Sequence, residues 1–265
     1  MSSLWQRRSL LTGYWQYWLN AVNQHSLQAP FIYDFYQKVI QGRSPTSDFQ
    51  AIEQHRKTLL KSEDWVSIPS LGATSLVSQS SSRKVKSIAR HSLSTPKFGR
   101  FLYRLVQFQQ PSYVVELGTS LGITSLYLSL ANHDTNIYTF EGSSDIASIA
   151  TKAFLHFDCR NIKLREGNID QTLPALLEEL PQIDLAYVDA NHQLQPTLRY
   201  FSQLLTKTHE TSILIFDDIH WSVEMQQAWQ KIIQHPRVTL SADLFDAGIV
   251  FFRPLTTKQH YFLMF

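Results

Sequence analysis

A single cysteine, Cys159, in 265 residues rules out an internal disulfide and any zinc site built on several thiolates. It fits a reducing compartment and leads us to expect a cytoplasmic protein. Charge of one sign is also scarce. A net charge of +2 gives no basic footprint for nucleic acid. No long apolar run is present. In "WQRRSLLTGYWQYWLNAV" at the N-terminus, Thr12, Gly13, Gln16 and Asn20 break up the hydrophobic residues, and no small-residue cleavage site follows. Neither a signal peptide nor a membrane span is expected there. No internal repeat is evident, and the only low-complexity piece, "SQSSSRKVK" (78–86), is short. The phosphate cradle Gly-x-Gly-x-x-Gly is missing as well. With hydrophobic residues at 43% and charged residues at 17%, the composition is that of a folded globular chain.

What is there falls into two textures. Residues 1–95 read as a helical, aromatic-rich extension. Leu11, Tyr14, Trp15, Trp18, Leu19 and Val22 recur at helical spacing, and further helical patterns cover 31–40, about 48–60 and 83–91. Residues 66–82, with Pro69, Gly72 and many serines, read as loop. The aromatics Trp5, Trp15, Trp18, Phe31, Tyr33, Phe35 and Tyr36 are expected to pack on the rest of the molecule, with an acceptor cover or a dimer contact as alternatives. The basic run Arg83, Lys84, Lys86, Arg90 and His91 reads as a solvated helix face.

From residue 96 to 265 strands and helices alternate. Short β-rich runs at 113–117, 137–140, 162–164, 183–189 and 212–216 are each followed by a helical pattern. Two last runs, 238–245 and 248–253, have no helix between them and predict a hairpin. The expected fold is therefore α/β: a Rossmann-like, doubly wound, mostly parallel seven-stranded sheet that ends in an antiparallel hairpin. Ligands of such sheets bind beyond the carboxyl ends of the strands. Acids end four of the five alternating strands, namely Glu116, Glu141, Asp189 and the pair Asp217/Asp218. Together they point to a common site.

"VVELGTSLG" (114–122) places an acid before a turn in which Gly118 and Gly122 let backbone come close to a ligand. "YTFEGS" (138–143) puts Glu141 one strand–helix–strand unit further on, where a carboxylate can take both hydroxyls of a ribose. "REGNID" (165–170) places Gly167 and Asn168 beside an adenine by position alone. "VDANH" carries Asp189 and His192, and "FDDIHW" carries Asp217, Asp218, His220 and Trp221. Asp217 and Asp218 either join a cation or divide their roles, Asp217 capping the next helix and Asp218 facing solvent. An imidazole at 192 can take a hydroxyl proton near neutral pH, and His220 is a second candidate. Trp221 either walls a pocket or packs the start of the helix.

The run Glu116–Gly122, with Glu141, Asp189, Asp217–Asp218 and the closing hairpin, resembles class I S-adenosylmethionine-dependent methyltransferases. More narrowly it is similar to the small-molecule O-methyltransferase branch related to catechol O-methyltransferase. The resemblance covers about 96–253. It implies that Glu116, Gly118, Thr119, Ser120 and Gly122 hold the methionine part of S-adenosylmethionine. Glu141 and Gly142 would take the ribose, Gly167 and Asn168 the adenine, and Asp189 would border the cofactor. In metal-dependent members an acid after strand four and an acid–amide pair after strand five bind a divalent cation such as Mg2+. The matching residues here are Asp189, Asp217 and Asp218, with Asp218 departing from the usual Asn. His192 stands where such relatives often carry a lysine base, so His192, Asp189 and His220 are the catalytic candidates. The implied partner is a small hydroxylated acceptor, with no nucleic acid and no membrane, and relatives of this kind are often dimers. Two other readings stay open: a nicotinamide-dependent oxidoreductase, and a cofactor-binding interaction protein without catalysis.

Overall fold

The computed structural model describes residues 14, 15, 17–68 and 82–265. Trp5 and Leu11 of the aromatic pattern, and most of the expected loop at 66–82, lie outside the described residues. The helices in chain order are α1 (Pro30–Phe35), α2 (Gln50–Lys61), α3 (Val85–Ser92), α4 (Pro96–Gln109), α5 (Ile123–Ala131), α6 (Ser144–His156), α7 (Ile169–Glu179), α8 (Leu194–Leu205) and α9 (Val223–Gln234). The strands are β1 (Trp65–Ser67), β2 (Ser82–Lys84), β3 (Tyr113–Leu117), β4 (Asn136–Glu141), β5 (Ile162–Glu166), β6 (Ile183–Val188), β7 (Thr208–Asp217), β8 (Leu240–Asp243), β9 (Ala247–Phe251) and β10 (Gln259–Phe262). The chain divides into two compact units, Gly42–Glu178 and Met1–Gln41 with Glu179–Phe265.

In the unit of residues 42–178, β3, β4 and β5 lie side by side and parallel, with Val115 opposite Tyr138 and Thr139 opposite Leu164. Val114, Val115, Glu116 and Leu117 are all buried, the pattern of a strand covered on both faces. Thr95 caps α4 by accepting from the Phe98 amide, and Pro96 opens the helix where its missing N–H costs nothing. Helices α2 and α3 share a core with α4, α5 and α6 through Phe49, Ile52, Leu59, Val85 and Ile88. The stretch expected to be loop begins in strand β1 and ends at the start of β2, an antiparallel pair with Val66 opposite Arg83. Only Val66 of β1 is buried, so its hydrophobic signal is one residue long.

In the other unit, β6 and β7 are parallel, β9 is antiparallel to both β7 and β8, and β10 runs parallel beside β8. The hairpin expected at the end of the sheet is present. An eighth strand, β10, goes beyond the seven expected. Its sequence, Gln-His-Tyr-Phe, lacks the apolar run that marks the others, and it is placed by pairing Gln259 with Leu240 through Phe262 with Asp243. Helix α9 packs on β9 because Gly248 admits the Trp229 ring; a Cβ there would lie 2.6 Å from it. Phe31 and Phe35 rest edge-on against Phe251, and the Tyr17 hydroxyl donates to the Leu263 carbonyl at 2.7 Å. Of the aromatics expected to pack, Phe31 and Phe35 do so within their own unit and Tyr36 is buried, whereas Trp15, Trp18 and Tyr33 are exposed. No helix among the described residues is long and apolar enough to cross a membrane.

Candidate functional site

The cofactor candidates other than Asp189 lie in the unit of residues 42–178, and the chain turns sharply at four of them. Gly118 (φ 104°), Ser120 (φ 47°), Gly122 (φ 84°) and Gly167 (φ 123°) all hold left-handed backbone. That conformation is easy for glycine and costly for serine, so Ser120 is held there by its surroundings. The amides of Gly118 and Thr119 donate to the Phe140 carbonyl, at 3.2 and 2.8 Å, which ties the turn to the end of β4. A Cβ on Gly122 would lie 2.9 Å from the Phe154 ring, so the close approach of the turn to α6 requires glycine.

Glu116 is fully buried and is held by hydroxyls. Ser125 and Thr139 both donate to its Oε2, the latter at 2.7 Å, and Thr139 also bonds Thr119 at 2.6 Å. Glu116 thus acts through the Thr139–Thr119 chain on the turn itself. Glu141 accepts the Ser120 amide at one oxygen and the Ser143 amide at the other, both at 2.9 Å. Burial raises its pKa, and the amides of Ser143, Ser120 and Gly142 oppose that rise. Its carboxylate therefore knits the turn after β3 to the turn after β4 while remaining partly exposed. Ser143 caps α6 and also donates to the Ser67 carbonyl at 2.7 Å. Asp145 in turn accepts the Ser67 amide at 2.6 Å. Strand β1 thereby borders the Glu141 turn, a link with no sequence signal. The Asn168 side chain accepts the Asp170 amide at 3.0 Å at the start of α7, and the Gly167 amide donates to the Glu141 carbonyl at 2.9 Å. So Glu141, Gly142 and Gly167 are brought together, with Asn168 next in line.

The acid–histidine candidates lie in the other unit. His192 Nε2 is 3.3 Å from Asp189 and Nδ1 is 3.8 Å from Asp218. Tyr187, fully buried in β6, donates its hydroxyl to Asp217 at 2.8 Å and reaches Asp189 at 3.3 Å. Sequence reasoning missed Tyr187 because a tyrosine within an apolar strand reads as core. Its only signal is position, two residues before Asp189. Burial and the repulsion of Asp189 and Asp218 push the Asp217 pKa well up; burial raises that of Asp218, against the pull of His192. Burial alone would lower the His192 pKa, but Asp189, Asp218 and Asp217 overcome it and carry it to about 9. The ring is therefore protonated at neutral pH. A simple base role at that pH needs the neutral ring, which these three carboxylates disfavour. The left-handed backbone of His192 (φ 36°) and Asp218 (φ 55°) turns both side chains into this cluster.

Helix α9 starts at Val223 and is capped by Ser222, whose side chain accepts the Met225 amide. The alternative in which Asp217 caps this helix is thereby overturned. Trp221 is half exposed and does not pack in the core. His220 does not join His192. Its Nε2 bonds the buried Asp243 at 2.8 Å, and its ring stacks on Phe245.

Three carboxylates suit a hard divalent cation by donor type. Here, however, Tyr187 stands between Asp217 and Asp189, and the His192 ring between Asp189 and Asp218. Among the described residues no group of three or more His, Cys, Asp or Glu is arranged to hold a metal. The positive charge at the acid pair comes from the protein itself. As arranged, these residues do not fit a metal.

Residues 115–219 match a family model described as a methyltransferase domain. A catechol O-methyltransferase from Niastella koreensis is 26% identical over 128 residues, 47% of this chain and 57% of that protein; the match thus spans little more than half of the relative's length. Among solved structures, an O-methyltransferase from Bacillus cereus in complex with SAH is 17% identical, with a TM-score of 0.55 over 83% of this chain and 96% of that one. The O-methyltransferase TomG from Streptomyces achromogenes, in complex with SAM, is 14% identical, with a TM-score of 0.56 over 88% of this chain and all of that one. At that identity the structures testify to the fold. The acid-led glycine turn, the order of strands in each unit and the family match agree: residues 115–219 are similar to a methyltransferase domain.

Proposed function

We propose that the protein transfers a methyl group from S-adenosylmethionine to a hydroxyl of a small molecule. The single observation that carries this reading is the double clamp on Glu141. Its two oxygens accept the Ser120 and Ser143 amides, which leaves a fixed, partly exposed carboxylate beside a glycine turn with no phosphate cradle. Such a carboxylate suits the two ribose hydroxyls. The turn from Gly118 to Gly122, braced by Glu116 through Thr139 and Thr119, takes the methionine part, and Gly167 with Asn168 takes the adenine.

Methyl transfer is an in-line displacement at the sulfonium methyl. The protein supplies alignment, and a place for the acceptor's proton. Within its own unit, the His192 imidazolium, paired with Asp189, is a donor suited to a hydroxyl oxygen on which negative charge develops. The proton passes to the cluster of Asp189, Asp217, Asp218 and His192 as a unit, where two carboxylates already bind protons more tightly than usual. No step is assigned to a divalent cation.

Calorimetry with S-adenosylhomocysteine tests the cofactor half. Binding is expected, and Glu141→Ala should weaken it by at least tenfold through loss of a charge-assisted contact. No binding by the native protein would sink the reading. A panel of catechols and other hydroxylated aromatics, assayed with and without EDTA, tests the chemistry. Turnover that survives EDTA supports the metal-free account, and turnover restored only by Mg2+ overturns it. Cofactor binding with no turnover on the panel would favour a binding protein without catalysis.

A further inference from the structure

We infer that a second ligand site lies between helices α2 and α6, and that it takes a small carboxylate with an aliphatic or aromatic body. The inference is independent of the methyltransferase reading. A cavity of about 670 Å³ opens there, well within the range of small-molecule sites. Leu59, Val85, Ile149 and Ala153 give it an apolar floor, and Phe157 closes one side. Around that floor stand three basic side chains, His55, Lys152 and His156. The two imidazoles meet the Phe157 ring edge-on, at 5.7 and 5.1 Å.

The lining contains one acid, Asp64, and it already accepts the Ser62 hydroxyl at 2.9 Å. A neighbouring cavity of about 530 Å³ shares Gln54, Thr58, Ser62 and Asp64 and adds Lys57 and Lys61. Its other acid, Glu63, is paired with Lys84 and Lys86. The field over both cavities is therefore positive, above an apolar surface, and is complementary to an anionic head on an apolar body.

The most telling atom is His55 Nε2. It is buried and has no hydrogen-bond partner among the described residues. A buried imidazole nitrogen without a partner is costly, and a turn of the His55 ring toward the cavity it lines would let a ligand oxygen relieve that cost. Burial and the nearby His156 hold the His55 pKa below its ordinary value in the empty cavity. A carboxylate alongside would favour the proton and gain a charge-assisted bond. None of the cavity residues belongs to the turns around Glu116, Glu141 or Gly167, nor to the cluster around His192.

The experiment uses the full chain, octanoate as the anionic probe and octanol as its neutral counterpart. Calorimetry should find octanoate bound at least tenfold more tightly than octanol. Lys152 and His55 should each matter. Lys152→Gln, at an exposed position, is expected to raise the dissociation constant about fivefold, and His55→Gln about tenfold. In ¹⁵N spectra of the imidazoles, octanoate should shift one Nε2 resonance, the one missing from His55→Gln. Saturating S-adenosylhomocysteine should leave octanoate binding in place, which separates this site from the cofactor turn. The inference fails if octanol binds as well as octanoate, if Lys152→Gln binds octanoate like the native protein, or if the homocysteine ligand displaces it. It fails equally if no binding is seen, or if light scattering shows a dimer whose dissociation is required before octanoate binds.

Discussion

At the scale of single residues, the acid pair that ends β7 is held by groups from two other segments of its unit. Tyr187 reaches it from within β6, and His192 from the turn after β6. Tyr187→Phe removes the donor to Asp217 and leaves a buried carboxylate short of one hydrogen bond, so stability should fall by about 1–3 kcal/mol at neutral pH in chemical denaturation. His192 gives a pH signature. Its folded pKa is raised to about 9, above the ordinary 6.5. The stability it contributes is therefore complete below about 6.5 and is lost as pH climbs through about 9. Asp217 slopes the same way by a different route. Its pKa is raised, so the fold favours the protonated acid and is penalised as pH rises above the ordinary carboxylate range. Thermal unfolding from pH 6 to 10 should show a falling melting temperature, and His192→Gln should flatten that fall between 6.5 and 9. An unchanged slope in the variant would remove His192 as the cluster's cation.

At the scale of elements, the turn after β3 shows how a short sequence sets a site. Three of its positions, Gly118, Ser120 and Gly122, hold left-handed backbone, and Gly122 also has to clear the Phe154 ring on α6. Gly122→Ala pays for both the backbone and the clash, so a loss of about 2–4 kcal/mol in stability is expected from urea unfolding, with weaker S-adenosylhomocysteine binding. The strands and this turn were legible because they depend on local signals: apolar runs, acids at strand ends, glycines where φ is positive. The parts that were not legible depend on partners distant in sequence. Strand β1 shows one buried residue and gains its place through Ser143 and Asp145, 76 and 78 residues onward. Strand β10 is recognisable only by its pairing with β8. Tyr187 reads as core in sequence, and its hydroxyl gains meaning only from Asp217, 30 residues later. The boundary of Pro96–Gln109, by contrast, is written locally in Thr95 and Pro96.

At the scale of the molecule, ligand binding and folding are linked, and that linkage separates the cofactor from the metal without an acceptor in hand. A ligand that binds only the folded chain stabilises it by RT ln(1 + [L]/Kd), about 2.7 kcal/mol at a hundredfold excess over Kd. For a chain of 265 residues that corresponds to a rise of roughly 5–10 °C in melting temperature. S-adenosylhomocysteine should produce such a rise in the native protein and, with binding at least tenfold weaker, at most about half of it in Glu141→Ala. Magnesium behaves differently under the same logic. If His192 and Tyr187 already satisfy Asp189, Asp217 and Asp218, millimolar Mg2+ has no vacant oxygen cage to enter and should move the melting temperature by less than about 1 °C. His192→Ala supplies the contrast. With the imidazolium gone, the three carboxylates repel one another uncompensated, the variant melts lower, and Mg2+ should then recover several degrees. A native protein that gains as much from Mg2+ as this variant does would show that the acid cluster is a metal site after all, with His192 displaced on binding.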